Sequence, residues 1–344
     1  LYLGYVGALD LRLDQKYSQL QKAAWLIAEK NFSTVKWPTK NSPYRKHNFV
    51  NVKDDARFMY TGCQPPSTKE ITDFLDQIKI NDCNDPLDLP KDRIKIQEWI
   101  NRSKRITIDN FDSMEHFTVS NGTSESLSNF LLSSDVIYMP KKVYHHHHEI
   151  LADKKTRTFD VFEHEPPAEA TVLFELPSPW YSTEKVLQGI DRAKQNKCKI
   201  ALDLTWLSMS TADIKIDLQD IDQIFMSMNK AWPIQNLRPA FRWSKKRIND
   251  TQTFDTEACS YTKVPARAFM KLIEKFGYDF AHDHYVANYK QICEQFELSG
   301  TPVLWFTKNA DVKHDSENPI YKNFFLDEFV CVVKLLENKN KFFW

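Results

Sequence analysis

Residues 171–206 have the sequence TVLFELPSPWYSTEKVLQGIDRAKQNKCKIALDLTW. The apolar runs at 171–176 and 199–204 flank a stretch, 183–196, whose apolar residues have the spacing of an amphipathic helix. Neither run alternates apolar and polar residues, which is typical of strands buried on both faces. The order strand, helix, strand predicts two parallel strands joined by a crossover helix.

Two further apolar runs extend this pattern on either side. VIYM at 136–139 and QIFMSM at 223–228 each predict a strand. Upstream, residues 67–70 have capping-box spacing ahead of a helical pattern, and residues 92–103 have a second helical pattern. We therefore predict an α/β fold with a mostly parallel central sheet flanked by helices.

The pattern changes beyond about residue 246. Two helical stretches, 266–276 and 278–298, are followed by strand-like segments at 302–307 and 329–336. We predict a large α/β domain at 56–245 and a smaller α+β domain at 246–344. Residues 1–55 are irregular and polar, and we assign them to the smaller domain or to an arm on a partner subunit.

The composition excludes several classes of partner. The 344 residues include 46 basic and 46 acidic side chains, and this neutral balance disfavours nucleic acid and anionic membranes. The 6 cysteines lack any C-x-x-C pair, which argues against a zinc cluster or a disulfide framework and favours the reducing cytoplasm. The apolar opening of the chain is shorter than the roughly 20 residues of a bilayer span. We expect a soluble cytoplasmic protein.

Reactive side chains follow the predicted strands. Ligands of parallel α/β sheets bind beyond the carboxyl ends of the strands. Asp203 closes one apolar run, and Lys230 follows another, with Arg238 eight residues beyond the lysine. Gly122 and Thr123 begin a helical pattern, and a helix start favours bound anions. The sequence therefore predicts a site for an anionic ligand at this edge.

These groups suit pyridoxal phosphate. This cofactor needs a Schiff-base lysine, an acid opposite its ring nitrogen, anchors for its phosphate and a flat group against its ring. Lys230 is the candidate lysine, and Asp203 is the candidate acid. Arg238 is the candidate phosphate anchor, assisted by the Ser227 hydroxyl and by the helix start at Gly122.

A flat group is expected after the strand at 136–139. Tyr144, His145 and His146 follow that strand and are our candidates to pack on the ring. The histidine run 145–148 also raises the question of a metal. Adjacent histidines on a strand or loop point in alternating directions, so at most two share a face, whereas zinc usually takes three or four ligands. We predict no metal site.

The motifs resemble the class I/II aminotransferases of pyridoxal-phosphate fold type I. SMNKAWPIQNLR at 227–238 is similar to the family's S-x-x-K with an arginine eight residues later, and IALDLTW at 200–206 resembles its Asp-x-x-Tyr strand end. SNGTSESL at 120–127 resembles its phosphate-loop helix. YTGCQPPSTKEI at 60–71 looks like its early substrate loop, which would place Gly62 against the substrate. The resemblance covers about residues 60–245 and implies a homodimeric enzyme acting on an amine or amino acid.

The sequence also departs from the family pattern. Trp206 stands where the family has a tyrosine, and Ser178 is nearest to the expected strand-end asparagine. No arginine follows Arg267, whereas the family usually binds the substrate carboxylate with a late arginine. An aminotransferase is the main interpretation. A lyase or decarboxylase on the same scaffold, and a cofactor-free binding protein, are the open alternatives.

Overall fold

The computed structural model describes residues 68–152, 156–232, 234, 237–295, 298–308, 325–326 and 329–331. The chain divides into two compact units, one of residues 1–63 and 315–325 and the other of residues 64–314 and 326–344. Of the described residues, only Phe325 belongs to the first unit.

Helices and strands alternate through most of the described chain. The helices are α1 (Lys69–Gln77), α2 (Leu89–Asn101), α3 (Thr123–Leu132), α4 (His145–Ala152), α5 (Thr183–Gln195), α6 (Thr251–Glu257), α7 (Lys263–Lys275) and α8 (Phe280–Gln295). The strands are β1 (Ile106–Asp109), β2 (His116–Asn121), β3 (Val136–Met139), β4 (Arg157–Asp160), β5 (Thr171–Glu175), β6 (Lys199–Asp203), β7 (Ile214–Asp217), β8 (Gln223–Ser227), β9 (Pro239–Ser244), β10 (Ser299–Gly300), β11 (Phe306–Lys308), β12 (Phe325–Leu326) and β13 (Phe329–Cys331). Short 3-10 helices span Ile80–Cys83, Phe111–Ser113 and Leu207–Met209.

The central sheet has seven strands in the order β2-β9-β8-β6-β5-β3-β4. The strands from β8 to β4 pair in parallel, and β9 is antiparallel to both of its neighbours. The four predicted strands are all present and lie side by side as β8, β6, β5 and β3. The predicted α/β fold with a mostly parallel sheet is confirmed.

Helices cover both faces of this sheet. In α5, the Ser182 hydroxyl accepts a hydrogen bond from the Lys185 amide and caps the first turn. Buried residues of α5 recur at helical spacing, and Gly189 packs directly on the Phe174 ring of β5. On the opposite face, α3 and α4 pack on the sheet through a cluster of Leu127, Phe130, Leu131, Ile137, Met139, Val143, Leu151, Leu173, Ala201 and Phe225.

Sequence patterns did not predict β9, which contains a buried charge. Arg242 lies inside this strand with a relative exposure of 2%. Its guanidinium forms an ion pair with Asp250, the residue that caps α6, and donates to the Thr253 hydroxyl at 2.8 Å. A buried charge is tolerated when it is paired in this way, but the pairing is visible only in three dimensions.

The segment after the central sheet is helical and aromatic. The helices predicted at 266–276 and 278–298 correspond to α7 and α8. Trp99, Trp232 and Phe269 form an edge-to-face and tilted cluster that joins α2, the segment after β8, and α7. β11 pairs antiparallel with β10 and β13, and β12 is the edge strand beside β13. Within the described ranges, no helix has the length and apolar character needed to cross a bilayer.

Candidate functional site

The predicted acid and the predicted lysine lie at one edge of the central sheet. Glu175 and Asp203 are register partners at the ends of β5 and β6, and Asp203 is in turn the partner of Phe225 in β8. Lys230 follows three residues after the end of β8. Because these strands are parallel and adjacent, their carboxyl ends deliver the side chains to the same edge.

Asp203 is a buried carboxylate with a relative exposure of 6%. Its Oδ1 accepts hydrogen bonds from the Thr205 amide at 2.9 Å and from the Thr205 hydroxyl at 2.5 Å. Burial raises the pKa of Asp203, while the Thr205 hydrogen bonds and the positive charge of Lys230 act in the opposite direction. Lys230 is therefore a charged partner of this acid.

Lys230 is held by aromatic residues. Its Nζ lies 5.2 Å from the ring centroid of Trp206, within the range of a cation–π contact. The Trp305 indole N–H donates to the Lys230 carbonyl oxygen at 2.5 Å, which fixes the backbone of the lysine. Trp206 packs edge-on against Phe306, with ring centroids 5.4 Å apart. An aromatic wall thus borders the amine.

Gly122 and Arg238 meet at the start of α3. Gly122 has φ +92° and ψ 150°, a conformation that residues with a side chain essentially never adopt. A Cβ atom at this position would lie 2.8 Å from Nη2 of Arg238 and 3.0 Å from its Nε. The missing side chain thus leaves room for the guanidinium at the amino end of a ten-residue helix. Together the exposed guanidinium and the helix terminus attract anions.

Thr123 links this helix start to the buried acid. The Thr123 and Thr205 hydroxyl oxygens are 3.0 Å apart, and Thr205 also contacts Asp203. Because the Thr205 hydroxyl has a single proton, it donates to the carboxylate and accepts from Thr123. Gly122 and Asp203 are thereby connected through Thr123 and Thr205, and the positive charge of Lys230 acts on Asp203 at the same edge.

Two predicted serines have other hydrogen-bond partners. The Ser227 hydroxyl donates to the Pro239 carbonyl at 2.9 Å and accepts from the Asn229 amide at 3.1 Å. Its proton is thus directed at the backbone, and Ser227 holds the turn that leads to Lys230. Ser178 is buried, and its hydroxyl accepts from the Trp180 amide at 3.3 Å.

The histidine run differs from its prediction. We expected it on a strand or loop, but the histidines begin helix α4, so the alternating directions expected for a strand or loop do not apply. The side chains of His145 and His146, and all of Gly62, lie outside the described residues. Tyr144 is half-buried directly ahead of the helix, and its ring meets that of His147 edge-on with centroids 5.9 Å apart.

Two buried polar residues near Asp203, Glu175 and His147, were not predicted as site residues from the sequence. Their relative exposures are 2% and 0%, and their ligand-type atoms lie within 4.8 Å of each other and of the Asp203 carboxylate. Burial and, secondly, the charge of Asp203 raise the pKa of Glu175 to about 8. Glu175 closes an apolar run just as Asp203 does. That shared position was the signal that could have found it.

No protein-family model matches the sequence, and no curated protein matches it significantly. Several solved structures have a similar fold. The aminotransferase AspB from Helicobacter pylori is 14% identical with a TM-score of 0.59, covering 80% of this chain and 89% of that one. A PLP-bound C–S lyase from Staphylococcus hominis is 11% identical with a TM-score of 0.57, covering 76% and 80%. A tyrosine aminotransferase from Leishmania infantum is 11% identical with a TM-score of 0.53, covering 81% and 90%. The chain therefore has the fold of the aminotransferase-like, pyridoxal-phosphate-dependent enzymes.

Proposed function

We propose that the protein is a pyridoxal-phosphate-dependent enzyme that acts on an amine or amino acid, with Lys230 as the Schiff-base lysine. One observation carries this proposal. The buried Asp203 carboxylate, the Lys230 amine and the Gly122–Arg238 contact all lie around one edge of a fold shared with aminotransferases and a PLP-bound C–S lyase. Among the possible reactions, transamination is our main proposal.

The residues present fit this cofactor at both of its ends. A phosphate needs donors and positive charge, which the start of α3 and the Arg238 guanidinium supply beside Gly122. A protonated ring nitrogen needs a carboxylate, and Asp203 is the acid at the end of β6. Tyr144, whose ring meets that of His147, and Trp206, whose ring lies near the Lys230 amine, are the candidate walls for a flat ring.

Pyridoxal phosphate, when bound, supplies an aldehyde that condenses with amines and a ring that withdraws electron density from the substrate α-carbon. The chain supplies the remaining functions. The Lys230 Nζ would hold the cofactor and move a proton at the substrate α-carbon. The Asp203 carboxylate would keep the ring nitrogen protonated. Arg238 would orient the phosphate through paired hydrogen bonds, assisted by Thr123.

The choice of reaction depends on how the substrate's acid group is bound. Arg267 is the last arginine of the sequence, and its Nε and Nη1 contact the Asp85 carbonyl and the Asp92 carboxylate, so that it holds the loop ahead of α2. It is not positioned as a substrate ligand. A lyase is the second candidate reaction, since a PLP-bound C–S lyase shares the fold.

We further propose a cytoplasmic homodimer in which residues 56–245 bind the cofactor and residues 246–344 form the smaller domain. Residues 1–55 would belong to that domain or extend onto the partner subunit. These proposals rest on the resemblance to the family and on the neutral charge balance of the chain. Analytical ultracentrifugation tests the dimer, and a stable monomer that binds the cofactor would contradict it.

The central test is covalent trapping of the cofactor on Lys230. After incubation with pyridoxal phosphate and reduction with borohydride, mass spectrometry of the digested wild type should find the cofactor on the peptide that contains Lys230. Lys230→Ala should lose this adduct, whereas Lys246→Ala, which changes an exposed lysine, should keep it. Equal trapping in wild type and Lys230→Ala would refute the assignment. Absence of any binding to wild type would favour the cofactor-free binding protein.

A further inference from the structure

Glu175, His147 and Asp203 form a buried polar cluster directly behind the proposed site. Glu175 Oε1 accepts a hydrogen bond from the Tyr144 amide at 2.7 Å and lies 3.6 Å from Nδ1 of His147. Glu175 Oε2 is buried and has no hydrogen-bond partner among the described residues. The carboxylates of Glu175 and Asp203 come within 4.8 Å of each other. The cluster thus places two acids side by side where little water reaches them.

The surroundings of Glu175 provide little positive charge. Among the described residues, Asp203 on β6 and His147 on α4 are the ionisable groups that face it, and the positive charge of Lys230 acts on Asp203. On its other side, β3 ends in Tyr138 and Met139. Helix α5 packs on the opposite face of β5, and its charged side chains point outward.

Two buried carboxylates this close cannot both be ionised at moderate cost. Thr205 donates two hydrogen bonds to Asp203, and Lys230 adds a favourable charge, so Asp203 is the better-stabilised anion. Glu175 accepts one amide hydrogen bond, and its second oxygen has none. The proton of the pair therefore resides on Glu175. Burial keeps it there, because it raises the pKa of Glu175 to about 8.

We propose that Glu175 is a proton-holding, positioning residue, a neutral carboxylic acid that limits the buried cluster to the single negative charge of Asp203. Given the proposed function, that single charge is the one that faces the ring nitrogen of the cofactor. No proton leaves the cluster in this arrangement, since Glu175 keeps its carboxyl proton and Asp203 remains an ionised hydrogen-bond acceptor. Ionisation of Glu175 at higher pH would add a second negative charge behind Asp203. This charge would strengthen the electrostatic attraction between the cluster and a protonated ring nitrogen.

Two other uses of the cluster make different predictions. If Glu175 were ionised and paired with a protonated His147, the cluster would be a structural ion pair, and loss of either charge would destabilise the fold at neutral pH. If the three side chains bound a divalent cation, the protein would be stabilised by added metal. The hydrogen bonds of Thr205 to Oδ1 of Asp203 favour the proton-holding role, because they stabilise the Asp203 anion and leave the proton of the pair to Glu175.

The test compares wild type, Glu175→Gln and Glu163→Gln, an exposed carboxyl changed in the same way. Unfolding by urea is followed on the cofactor-free protein from about pH 5 to about pH 9. Because the folded-state pKa of Glu175 is raised from 4.5 to about 8, its contribution to stability is present at low pH and is lost as the pH rises to about 8. Relative to Glu175→Gln, the wild-type folding constant should fall by up to about tenfold per pH unit in this window. Glu163→Gln should follow wild type throughout.

Two further measurements separate this inference from the proposed function. Infrared difference spectroscopy of the cofactor-free protein at neutral pH should find the carbonyl band of a protonated carboxylic acid in wild type and lose it in Glu175→Gln. Pyridoxal phosphate should bind both proteins within about twofold at pH 7 and should bind wild type more tightly at about pH 9. The difference should vanish in an Asp203→Asn background.

A Glu175→Gln protein that is less stable than wild type at neutral pH, without the predicted pH slope, would overturn the proposal in favour of the ion pair. A rise in wild-type melting temperature with Zn²⁺ or Mn²⁺ that Glu175→Gln abolishes would overturn it in favour of a metal. Absence of the infrared band in wild type would overturn it directly. If the band and the pH slope are present but wild type binds no pyridoxal phosphate, the proton-holding role stands and the proposed function fails.

Discussion

Replacement of Gly122 by alanine tests the proposed phosphate site with little disturbance elsewhere. The change has two separable costs. At φ +92° and ψ 150°, a residue with a Cβ is strained by about 1–3 kcal/mol, which lowers the stability of the protein. The new methyl would also lie 2.8 Å from Nη2 and 3.0 Å from Nε of Arg238, well inside van der Waals contact. Because this guanidinium is exposed, it can move aside without disturbing the core.

The moved guanidinium determines the expected loss of affinity. One charge-assisted contact to the phosphate is worth about 1.5–3 kcal/mol, which corresponds to roughly a 10- to 150-fold weaker binding of pyridoxal phosphate. Pyridoxal, which lacks the phosphate, should bind the variant and wild type alike. Gly277→Ala is the matched control, since no atom lies within 4 Å of the Cβ that it would add.

Fluorescence titration with the two ligands measures these affinities, and urea denaturation measures the cost to the fold. In the double variant Gly122→Ala/Arg238→Ala, the two losses of affinity should not add, because both act on the same contact. Equal weakening of pyridoxal and pyridoxal phosphate would show that the strain has distorted the whole site. Fully additive losses would show that Arg238 and Gly122 act on different groups. Either result would refute the geometry argued here.

Three further variants test the charge at the site and the ion pairs of Arg242 and Arg247. Asp203→Asn should make the cofactor-free protein more stable at neutral pH, because burial raises the pKa of this acid and its ionisation is therefore costly. The same change should weaken the binding of pyridoxal phosphate by about 1.5–3 kcal/mol. A less stable variant with unchanged affinity would contradict both roles. Asp250→Ala should cost about 3–5 kcal/mol in urea denaturation, since it leaves the buried Arg242 without its acidic partner. Glu257→Ala breaks an exposed pair with Arg247 and should cost at most about 1 kcal/mol, and equal losses in the two variants would show that burial does not matter here.

The fold and much of the proposed site could be predicted from local sequence. The four apolar runs predict buried parallel strands, because a strand covered on both faces has no side of polar residues. Each run is a strand of the central sheet. Residues directly after such strands share an edge, so Asp203 and Lys230 could be expected together before any coordinates were known. The arginine at 238 and the helix start at Gly122 predict an anion site, and this site remains a prediction.

Other features depended on contacts between residues distant in the chain. The hydrophobic pattern did not predict β9, because this strand contains the charged residue Arg242. The charge of Arg242 is balanced by Asp250, which lies beyond the following turn. The histidine run was assigned to a strand or loop, but it begins a helix and brings His147 beside Glu175. Local sequence thus determined which segments were strands and which polar residues ended them, because hydrophobic periodicity and strand direction act over a few residues. Only the tertiary structure decided which buried groups share a proton and which form ion pairs. The reason is that electrostatic free energy depends on distance and burial rather than on position in the chain.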